Sequence, residues 1–257
     1  MIANFQSVRD SREATNLKPN SFAYLVFETE ARMASCSSIP TFNPLFERRK
    51  SLNEKFNLVA KEWVLLKGSS SLATLRMVHI RGAKNEIINT WIFPNQPDRV
   101  PVFAAELIAV GGTVKVAFVD IQAPALKSPS LEQARILSAS LAPRFRSLPC
   151  DEKAPDWAVG DSQGNFTYAR NVPSDQFPEI EKCYLAYLDS YLSEYVLVCR
   201  VQNNAISRED SNALNVLHTY QHHHMEHSPG KKFLSVLFGS EWTDAFMKNF
   251  LFSMPRG

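Results

Sequence analysis

Apolar runs separated by turn residues in the first half of the chain predict five consecutive β-strands. The first three runs cover residues 56–67, 73–81 and 86–93, and Gly, Ser or Asn-Lys separates one from the next. Residues 100–124 contain two further runs on either side of Gly111 and Gly112, which favour a hairpin turn because glycine adopts positive φ readily. The short links favour an antiparallel meander over parallel strands joined by crossover helices.

The hairpin at residues 100–124 is apolar on both faces, with one exception. A strand period places Val102, Ala104, Glu106, Ile108 and Val110 on one face and the intervening residues on the other, so a sheet covered on both sides is predicted. Glu106 is then a carboxyl on an apolar face, where it needs a partner or stays protonated through desolvation and serves as a proton donor. A Glu at an edge position, bonded to a neighbour, is the alternative interpretation.

The rest of the chain predicts helices before and after the strands. The helical segments are residues 21–36, 131–141, 177–201, 207–227 and 231–252. A last strand is predicted at residues 166–172, a long surface loop at 143–164 and a flexible polar segment at 1–20. The expected fold is a single domain over residues 1–257, a three-layer α/β/α sandwich with a central antiparallel β-sheet.

One of these helices has an aromatic stripe. Tyr184, Tyr187, Tyr191 and Tyr195 are spaced three or four residues apart, so they share one face. Such a stripe predicts packing in the core, and a wall facing a ligand is the alternative.

Composition and charge argue against several classes of function. The 28 basic and 26 acidic residues give a net charge of +2, which argues against a dedicated nucleic-acid binder. No run of about 18 apolar residues occurs, and residues 1–20 lack the apolar core of a signal peptide, so no membrane partner is expected. Four widely spaced cysteines without a CxxC pair predict reduced thiols in a reducing compartment. The GxGxxG and GxxxxGK[ST] nucleotide-binding motifs are absent.

Histidines are concentrated on the helix predicted at residues 207–227. Five of the six lie there: His218, His222, His223, His224 and His227. Pairs four residues apart are able to bind a metal, and residues 223–227 match the HxxEH pattern of one class of zinc peptidases. A His-rich run generates this match by chance, and only 30 residues follow to supply a third ligand. A solvated or ligand-facing helix is therefore favoured, and no metal site is predicted.

Several short motifs occur in an order that resembles a known family. They are residues 76–79 (RMVH), 89–94 (NTWIFP), 101–107 (PVFAAEL), 120–124 (DIQAP), 166–170 (FTYAR), 238–246 (FGSEWTDAF) and 250–252 (FLF). Together they resemble the ferredoxin-dependent bilin reductases from about residue 56 to residue 252. The resemblance implies an antiparallel sheet between helices and a bilin as substrate. It also implies that ferredoxin supplies single electrons, that the protein supplies protons to a bilin radical, and that no metal or flavin is bound.

The resemblance also implies where the protein acts and with what. Ferredoxin and the bilin are the expected partners, and the expected compartment is the plastid stroma or the cyanobacterial cytoplasm. A monomer is expected.

Two strand residues, Glu106 and Asn89, fall at positions that belong to the active site in the family that the chain resembles. Glu106 falls where most of the family has an Asp, which implies that it is a catalytic proton donor. Asn89 falls where the phycocyanobilin-forming branch has His and the phycoerythrobilin-forming branches have Asn, which favours a phycoerythrobilin-type reaction. Red chlorophyll catabolite reductase, a plant relative, has Glu in the slot of Glu106, so an opened chlorophyll is an alternative substrate.

The helical half departs from the family pattern at one position. Residues 226–229 (EHSP) match a stretch where most members read Glu-x-Asp-Pro, and that Asp is a second catalytic carboxylate linked to reduction of the A-ring. Ser228 occupies its place and is a poor acid at neutral pH. Either a neighbour such as His227 or Glu226 donates this proton, or the protein performs part of the chemistry or none. A bilin-binding protein without catalysis is the second hypothesis.

Three further residues are expected near the substrate. Arg76 and His79 are three apart on a strand and point to opposite faces, so we expect His79 beside the bilin and Arg76 in a structural role. Arg170 suits a bilin propionate or a loop carboxylate equally well. Lys231, with Lys232, suits a propionate or an acidic ferredoxin.

Overall fold

The computed structural model describes residues 21–67, 70–126, 130–150, 152–155, 166–197 and 211–255. Eight strands form one sheet: β1 (Ser38–Thr41), β2 (Arg48–Lys50), β3 (Asn57–Lys67), β4 (Ser70–Arg81), β5 (Asn85–Pro94), β6 (Val102–Val110), β7 (Thr113–Gln122) and β8 (Thr167–Val172). Their order is β1-β3-β4-β5-β6-β7-β8, every pairing is antiparallel, and β2 pairs with β3 beside β1.

Six α-helices accompany the sheet in the described part of the chain. They are α1 (Ala23–Ser35), α2 (Ser130–Leu141), α3 (Phe177–Tyr191), α4 (Ser211–His227), α5 (Pro229–Phe238) and α6 (Ser240–Phe246). Short 3-10 turns cover Ala142–Phe145 and Ser174–Gln176, and π-helical turns cover Leu192–Leu197 and Met247–Leu251. No helix among the described residues is long and apolar enough to cross a membrane.

The central hairpin is buried between two helical layers. Gly111 and Gly112 have φ angles of 61° and 83° and turn the chain between β6 and β7. Phe103 and Leu107 of β6 pack with α1 and α3, whereas Val102 and Ala104 pack with α4, α5 and α6. The three-layer α/β/α sandwich with an antiparallel sheet is therefore confirmed, and the alternation of β6 is as its sequence predicts.

The tyrosine stripe of α3 lies in the first of these two layers. Tyr184, Tyr187 and Tyr191 are completely buried, and hydroxyl contacts tie them to Thr90, Thr167 and the backbone oxygen of Pro101. The prediction of core packing is confirmed for these three tyrosines, and the side chain of Tyr195 lies outside the described residues.

Three boundaries differ from the sequence prediction. Residues 38–41 and 48–50 lie outside the strands that the sequence predicts, and they form β1 and β2 because both pair with the edge of β3. The C-terminal helical segment is divided into α5, α6 and a π-helical turn, because Gly239 has a φ of 90° between α5 and α6. Short polar strands carry little periodic signal, so only their pairing with β3 identifies them.

A buried ion pair fixes the C-terminal end of the described chain to the sheet. Arg76 of β4 is 1% exposed, and its Nε donates to Glu62 of β3 at 2.8 Å. Its two terminal nitrogens donate to the backbone oxygens of Ser253 and Met254, at 2.5 and 3.0 Å. Arg76 therefore has the structural role predicted for it.

We predict that Arg76→Ala lowers the free energy of unfolding by about 3–5 kcal/mol, because it leaves Glu62 as a buried charge without this partner. Chemical denaturation followed by circular dichroism measures the change. Lys182→Ala removes an exposed ion pair with Glu179 and is the control, with an expected change below about 0.5 kcal/mol. Equal effects of the two substitutions would contradict the prediction.

Candidate active site

A small cavity lies between the middle of the sheet and the helices α4 and α5. Its lining residues come from β5, β6, α4 and the C-terminal segment: Asn89, Trp91, Glu106, His224, His227, Ser228, Leu251 and Phe252. The cavity has a volume of about 20 Å³, which is room for about one water molecule. The structure therefore brings together three of the predicted site residues, Glu106, Asn89 and Ser228.

Glu106 is positioned by the register of the central strands. It lies opposite Asn89 of β5 and Phe118 of β7, and its partly exposed side chain points toward the helical layer. Gly230 of α5 approaches it so closely that a Cβ at this position would lie 4.0 Å from Oε1 of Glu106. Desolvation by burial raises the pKa of Glu106 to about 7. The carboxyl is thus available as a neutral acid near neutral pH.

Two polar groups beside Glu106 have no hydrogen-bond partner among the described residues. They are the side-chain oxygen of Asn89 and Nε1 of Trp91, and both are buried. An unmade hydrogen bond inside a protein is unfavourable, so these groups provide one acceptor and one donor for a bound molecule. Pyrrole N–H groups and lactam oxygens of a tetrapyrrole have the matching chemistry.

Ser228 has a local structural role. It is the N-cap of α5, and its Oγ accepts a hydrogen bond from the backbone N–H of Gly230 at 3.2 Å. Ser, Asp and Asn are the preferred residues at this position because their side-chain oxygens satisfy a free N–H of the first turn. An Asp, which the family resemblance implies at this position, could make the same cap. Ser228 therefore keeps the capping oxygen but has no acidic proton.

The histidines of α4 point in different directions. His224 is buried and its ring lies 4.4 Å from that of Tyr220 and 5.2 Å from that of Trp91. His222 and Glu226 are exposed and face each other at 3.6 Å, away from the cavity. His224 is the site residue that the sequence reasoning missed, although its spacing of four residues from Ser228 places both on one helix face.

Two further sequence patterns bear on possible sites, a metal-binding cluster and a hydrolase motif. No group of three or more His, Cys, Asp or Glu side chains in the described part of the chain is arranged to hold a metal ion. Residues 160–164 (GDSQG) match the GxSxG pattern of serine hydrolases, but they lie outside the described residues.

His79 lies on the face of the sheet opposite to that of Glu106, so the structure does not bring it together with Glu106, Asn89 and Ser228, and its contact with a substrate stays a prediction. Its Nε2 lies 2.6 Å from Oε1 of Glu86, which also accepts from the Ser21 hydroxyl, while Oε2 accepts from the Phe22 amide before α1. Burial raises the pKa of Glu86, but these hydrogen bonds and the His79 charge outweigh it and lower the pKa below its ordinary value. The strand period separates Arg76 from His79 correctly, yet Arg76 shares the face of Glu106.

Arg170 and Lys231 lie outside the cavity wall in this structure. Arg170 of β8 forms an ion pair with Glu152 of the preceding loop, and Lys231 of α5 pairs with Asp244 of α6 at 3.0 Å. Neither lines the cavity that contains Glu106. Their contact with a substrate stays a prediction.

Comparison with known proteins identifies a family. The sequence model described as "Ferredoxin-dependent bilin reductase" matches residues 32–253. The chain is 25% identical to 15,16-dihydrobiliverdin:ferredoxin oxidoreductase of Prochlorococcus marinus (strain NATL1A), over 67% of this chain and 72% of that protein. It is 25% identical to phycocyanobilin:ferredoxin oxidoreductase of Trichodesmium erythraeum (strain IMS101), over 72% and 74%. With phycoerythrobilin:ferredoxin oxidoreductase of Nostoc punctiforme (strain ATCC 29133 / PCC 73102), the identity is 24% over 73% and 74%.

A solved structure has the same fold. The chain superposes on phytochromobilin synthase from tomato, crystallised in complex with biliverdin, with a TM-score of 0.75. The match covers 90% of this chain and 83% of that chain, at 17% sequence identity. At this identity the likeness shows the fold alone.

We predict that Glu106→Gln raises the melting temperature at pH 8 by an amount on the order of 4 °C and has little effect at pH 5. Burial raises the pKa of Glu106 from its ordinary value of 4.5 to about 7, so the stability of the fold decreases progressively as the pH rises between those values. Glutamine does not ionise. Thermal melts at the two pH values measure the difference, and the exposed Glu132→Gln is the control. A shift of equal size at both pH values would refute the assignment.

Proposed function

The chain belongs to the ferredoxin-dependent bilin reductase family, and on this basis we propose that it reduces 15,16-dihydrobiliverdin or biliverdin to a phycoerythrobilin-type bilin, with Glu106 as a proton donor. Family membership establishes the coarser activity, ferredoxin-dependent reduction of a bilin. The observation that carries the finer proposal is a carboxyl with a pKa of about 7, opposite Asn89 in a cavity between the sheet and the helices. The cyanobacterial relatives support cyanobacterial cytoplasm or plastid stroma as the compartment.

Reduction of one bilin double bond consumes two electrons and two protons. Two reduced ferredoxins supply one electron each, in succession. Neutral Glu106 supplies one of the protons: its O–H bond breaks, a C–H bond forms on the bilin, and the carboxylate takes up a proton from water. A pKa of about 7 keeps a substantial neutral fraction at neutral pH while leaving the group a competent donor.

Asn89 supports the choice of substrate branch. Its side-chain oxygen is buried without a hydrogen-bond partner among the described residues, and it faces the same cavity as Glu106. An amide offers both an acceptor and donors but does not change its charge between pH 5 and 8, whereas a His in this position titrates there. With Asn89, only Glu106 of these two strand residues is titratable, whereas a His at position 89 would add a second titratable group. The single group fits the phycoerythrobilin-type reaction that the resemblance favours.

The bilin must enlarge the cavity. A volume of about 20 Å³ is far below the roughly 300–1,000 Å³ of a pocket for a molecule of drug size. The cavity wall opposite the sheet consists of α4, Ser228 and the C-terminal Leu251 and Phe252. We expect this wall to move away from β5 and β6 as the substrate enters, because the strands are fixed by pairing on both sides.

A bilin-binding protein without catalysis is the second candidate, and Ser228 is the observation that favours it. The residue in the second acid position caps α5 and has no acidic proton to give at neutral pH. An opened chlorophyll is the alternative substrate, because red chlorophyll catabolite reductase also carries Glu in the slot of Glu106. Assays with each pigment separate these alternatives.

We infer that ferredoxin docks on an apolar surface centred on α5. Phe233 and Val236 of α5 are 37% and 71% exposed, and Leu52 is 69% exposed beside them. The backbone N–H of Leu52 donates to the oxygen of Leu237 at 2.7 Å, so the turn and the helix form one continuous surface. α5 starts at Ser228 beside Glu106, which brings this surface close to the proposed site.

Charge supports ferredoxin as the occupant of that surface. Exposed Lys50 and Lys55 flank Leu52 in the sequence, exposed Lys232 precedes Phe233, and Glu54 is the acidic residue of the same turn. An acidic electron carrier is attracted to such a rim, which raises its association rate at low ionic strength.

Anaerobic turnover with reduced ferredoxin tests the proposed function. We predict that the protein converts 15,16-dihydrobiliverdin or biliverdin to a new pigment, at a rate that falls as pH rises through about 7 because neutral Glu106 is depleted. Glu106→Gln should bind the bilin with the same spectral shift and lower kcat by about 100-fold or more. Unchanged turnover in Glu106→Gln would remove this residue from the mechanism. A bilin that binds but is never converted would instead support the second candidate, a bilin-binding protein without catalysis.

A charge reversal tests the docking surface. We predict that Lys55→Glu with Lys232→Glu lowers kcat/KM for ferredoxin by about 10-fold at low salt and by less at high salt. Lys115→Glu with Lys182→Glu changes the net charge equally, at the partly exposed Lys115 of β7 and the exposed Lys182 of α3, and is the control. Bilin affinity should be the same in both variants. Equal losses in the two double variants would exclude this docking surface.

A further inference from the structure

We propose that His224 supplies the second proton of bilin reduction, in place of the acid that Ser228 does not provide. This inference rests on the proposed function and identifies a further catalytic residue of the same site. Its basis is the buried position of His224 in the cavity that contains Glu106 and Asn89.

The cavity is lined by three side chains of the types that serve as proton donors in enzymes: Glu106, His224 and His227. Glu106 lies on the strand side, and the two histidines lie on the helix side. A substrate between the sheet and α4 would therefore meet one donor on each side. That arrangement suits the addition of two protons to different atoms of one molecule.

Packing holds the imidazole of His224 in place. The ring lies 4.4 Å from that of Tyr220 and 5.2 Å from that of Trp91, and it lies nearly parallel to Phe252, 15° between planes at 6.4 Å. Trp91 itself stacks on Phe93 at 5.6 Å with 5° between the planes. Tyr220 belongs to the same helix as His224, so this contact is kept when α4 moves away from the sheet, and it limits the reorganisation of the donor during the reaction.

His224 also occupies the right position relative to the missing acid. His224 precedes Ser228 by four residues, one helical turn. The backbone N–H of Ser228 donates to the backbone oxygen of His224 at 2.9 Å. Both residues line the same wall of the cavity. An imidazole at position 224 is therefore able to act on the same part of a substrate as a carboxyl at position 228.

The other titratable groups nearby are less suitable. His227 is exposed, its ring stacks on His223 at 4.3 Å, and its Nδ1 contacts the backbone oxygen of His223 at 3.0 Å. Glu226 faces His222 on the exposed side of α4. Asp120 of β7 is buried on the face of Glu106, but its Oδ1 accepts from the Ile121 amide and it does not line the cavity.

The protons and electrons balance with this assignment. Two ferredoxins deliver two electrons, the O–H bond of Glu106 and one N–H bond of the His224 imidazolium break, and two C–H bonds form on the former double bond. Both groups are then protonated again from water. His227, exposed and lining the same cavity, provides a polar route from solvent.

Four variants test the assignment under single-turnover conditions with reduced ferredoxin: His224→Gln, the same change combined with Ser228→Asp, Ser228→Asp alone, and His222→Gln. His222 is exposed on the same helix and is the matched control. Bilin binding is measured by absorption, the bilin radical by electron paramagnetic resonance, and the product by chromatography.

We predict that His224→Gln binds the bilin and forms its radical, but yields product about 100-fold more slowly. Adding Ser228→Asp should restore at least a tenth of the wild-type rate, because it returns an acid to the same cavity wall. His222→Gln should behave as wild type. Such a rescue separates proton donation from a merely structural role, which the new acid would not replace.

The inference is overturned if His224→Gln turns over like His222→Gln, or if a folded His224→Gln that binds bilin is not rescued by Ser228→Asp. His224→Asn is the second variant should His224→Gln fail to fold, and it is read in the same way. A wild-type protein without product from any bilin would instead overturn the proposed function, and the assignment of His224 with it.

Discussion

Desolvation of one carboxyl, on a strand that is covered on both faces, sets the electrostatics of the cavity between the sheet and the helices. Glu106 lies in the middle of the sheet, with α4 and α5 packed over its side chain, and this environment raises its pKa to about 7. Pairing with β5 and β7 fixes the backbone of β6, so the position of Glu106 under the helical layer is set by the sheet. Burial destabilises the folded protein when Glu106 is ionised, and for the same reason it keeps the Glu106 carboxyl protonated up to about pH 7.

The helical wall opposite Glu106 contains the N-cap of α5. Ser228 accepts the capping hydrogen bond from Gly230, and Gly230 lies against Glu106. An Asp at this position could make the same cap and also carry an acidic proton, whereas Ser228 supplies the cap alone. The histidine-rich helix α4 then places a titratable ring on the same wall, one turn earlier.

The C-terminal segment connects the cavity to the stability of the sheet. Phe252 contacts Trp91 and His224 from one side, and the backbone oxygens of Ser253 and Met254 bind the buried guanidinium of Arg76. Arg76 in turn is held by Glu62. Opening the cavity from this side therefore requires either a local movement of Phe252 or the disruption of a buried ionic network, and the first costs much less.

The sequence by itself determined the antiparallel strands from β3 to β8, the alternation of β6 and the burial of the α3 tyrosines. These features follow from strand and helix periods, which are local properties of the sequence. Tertiary structure decided which face of the sheet meets which helices. It placed Arg76, and not His79, on the face of Glu106. The two-residue period of a strand shows that Arg76 and His79 lie on opposite faces, but it does not show which helices cover each face. It also placed two of the five histidines, His224 and His227, at the cavity and formed β1 and β2 on the edge of β3, because helix rotation and edge pairing depend on partners distant in the chain.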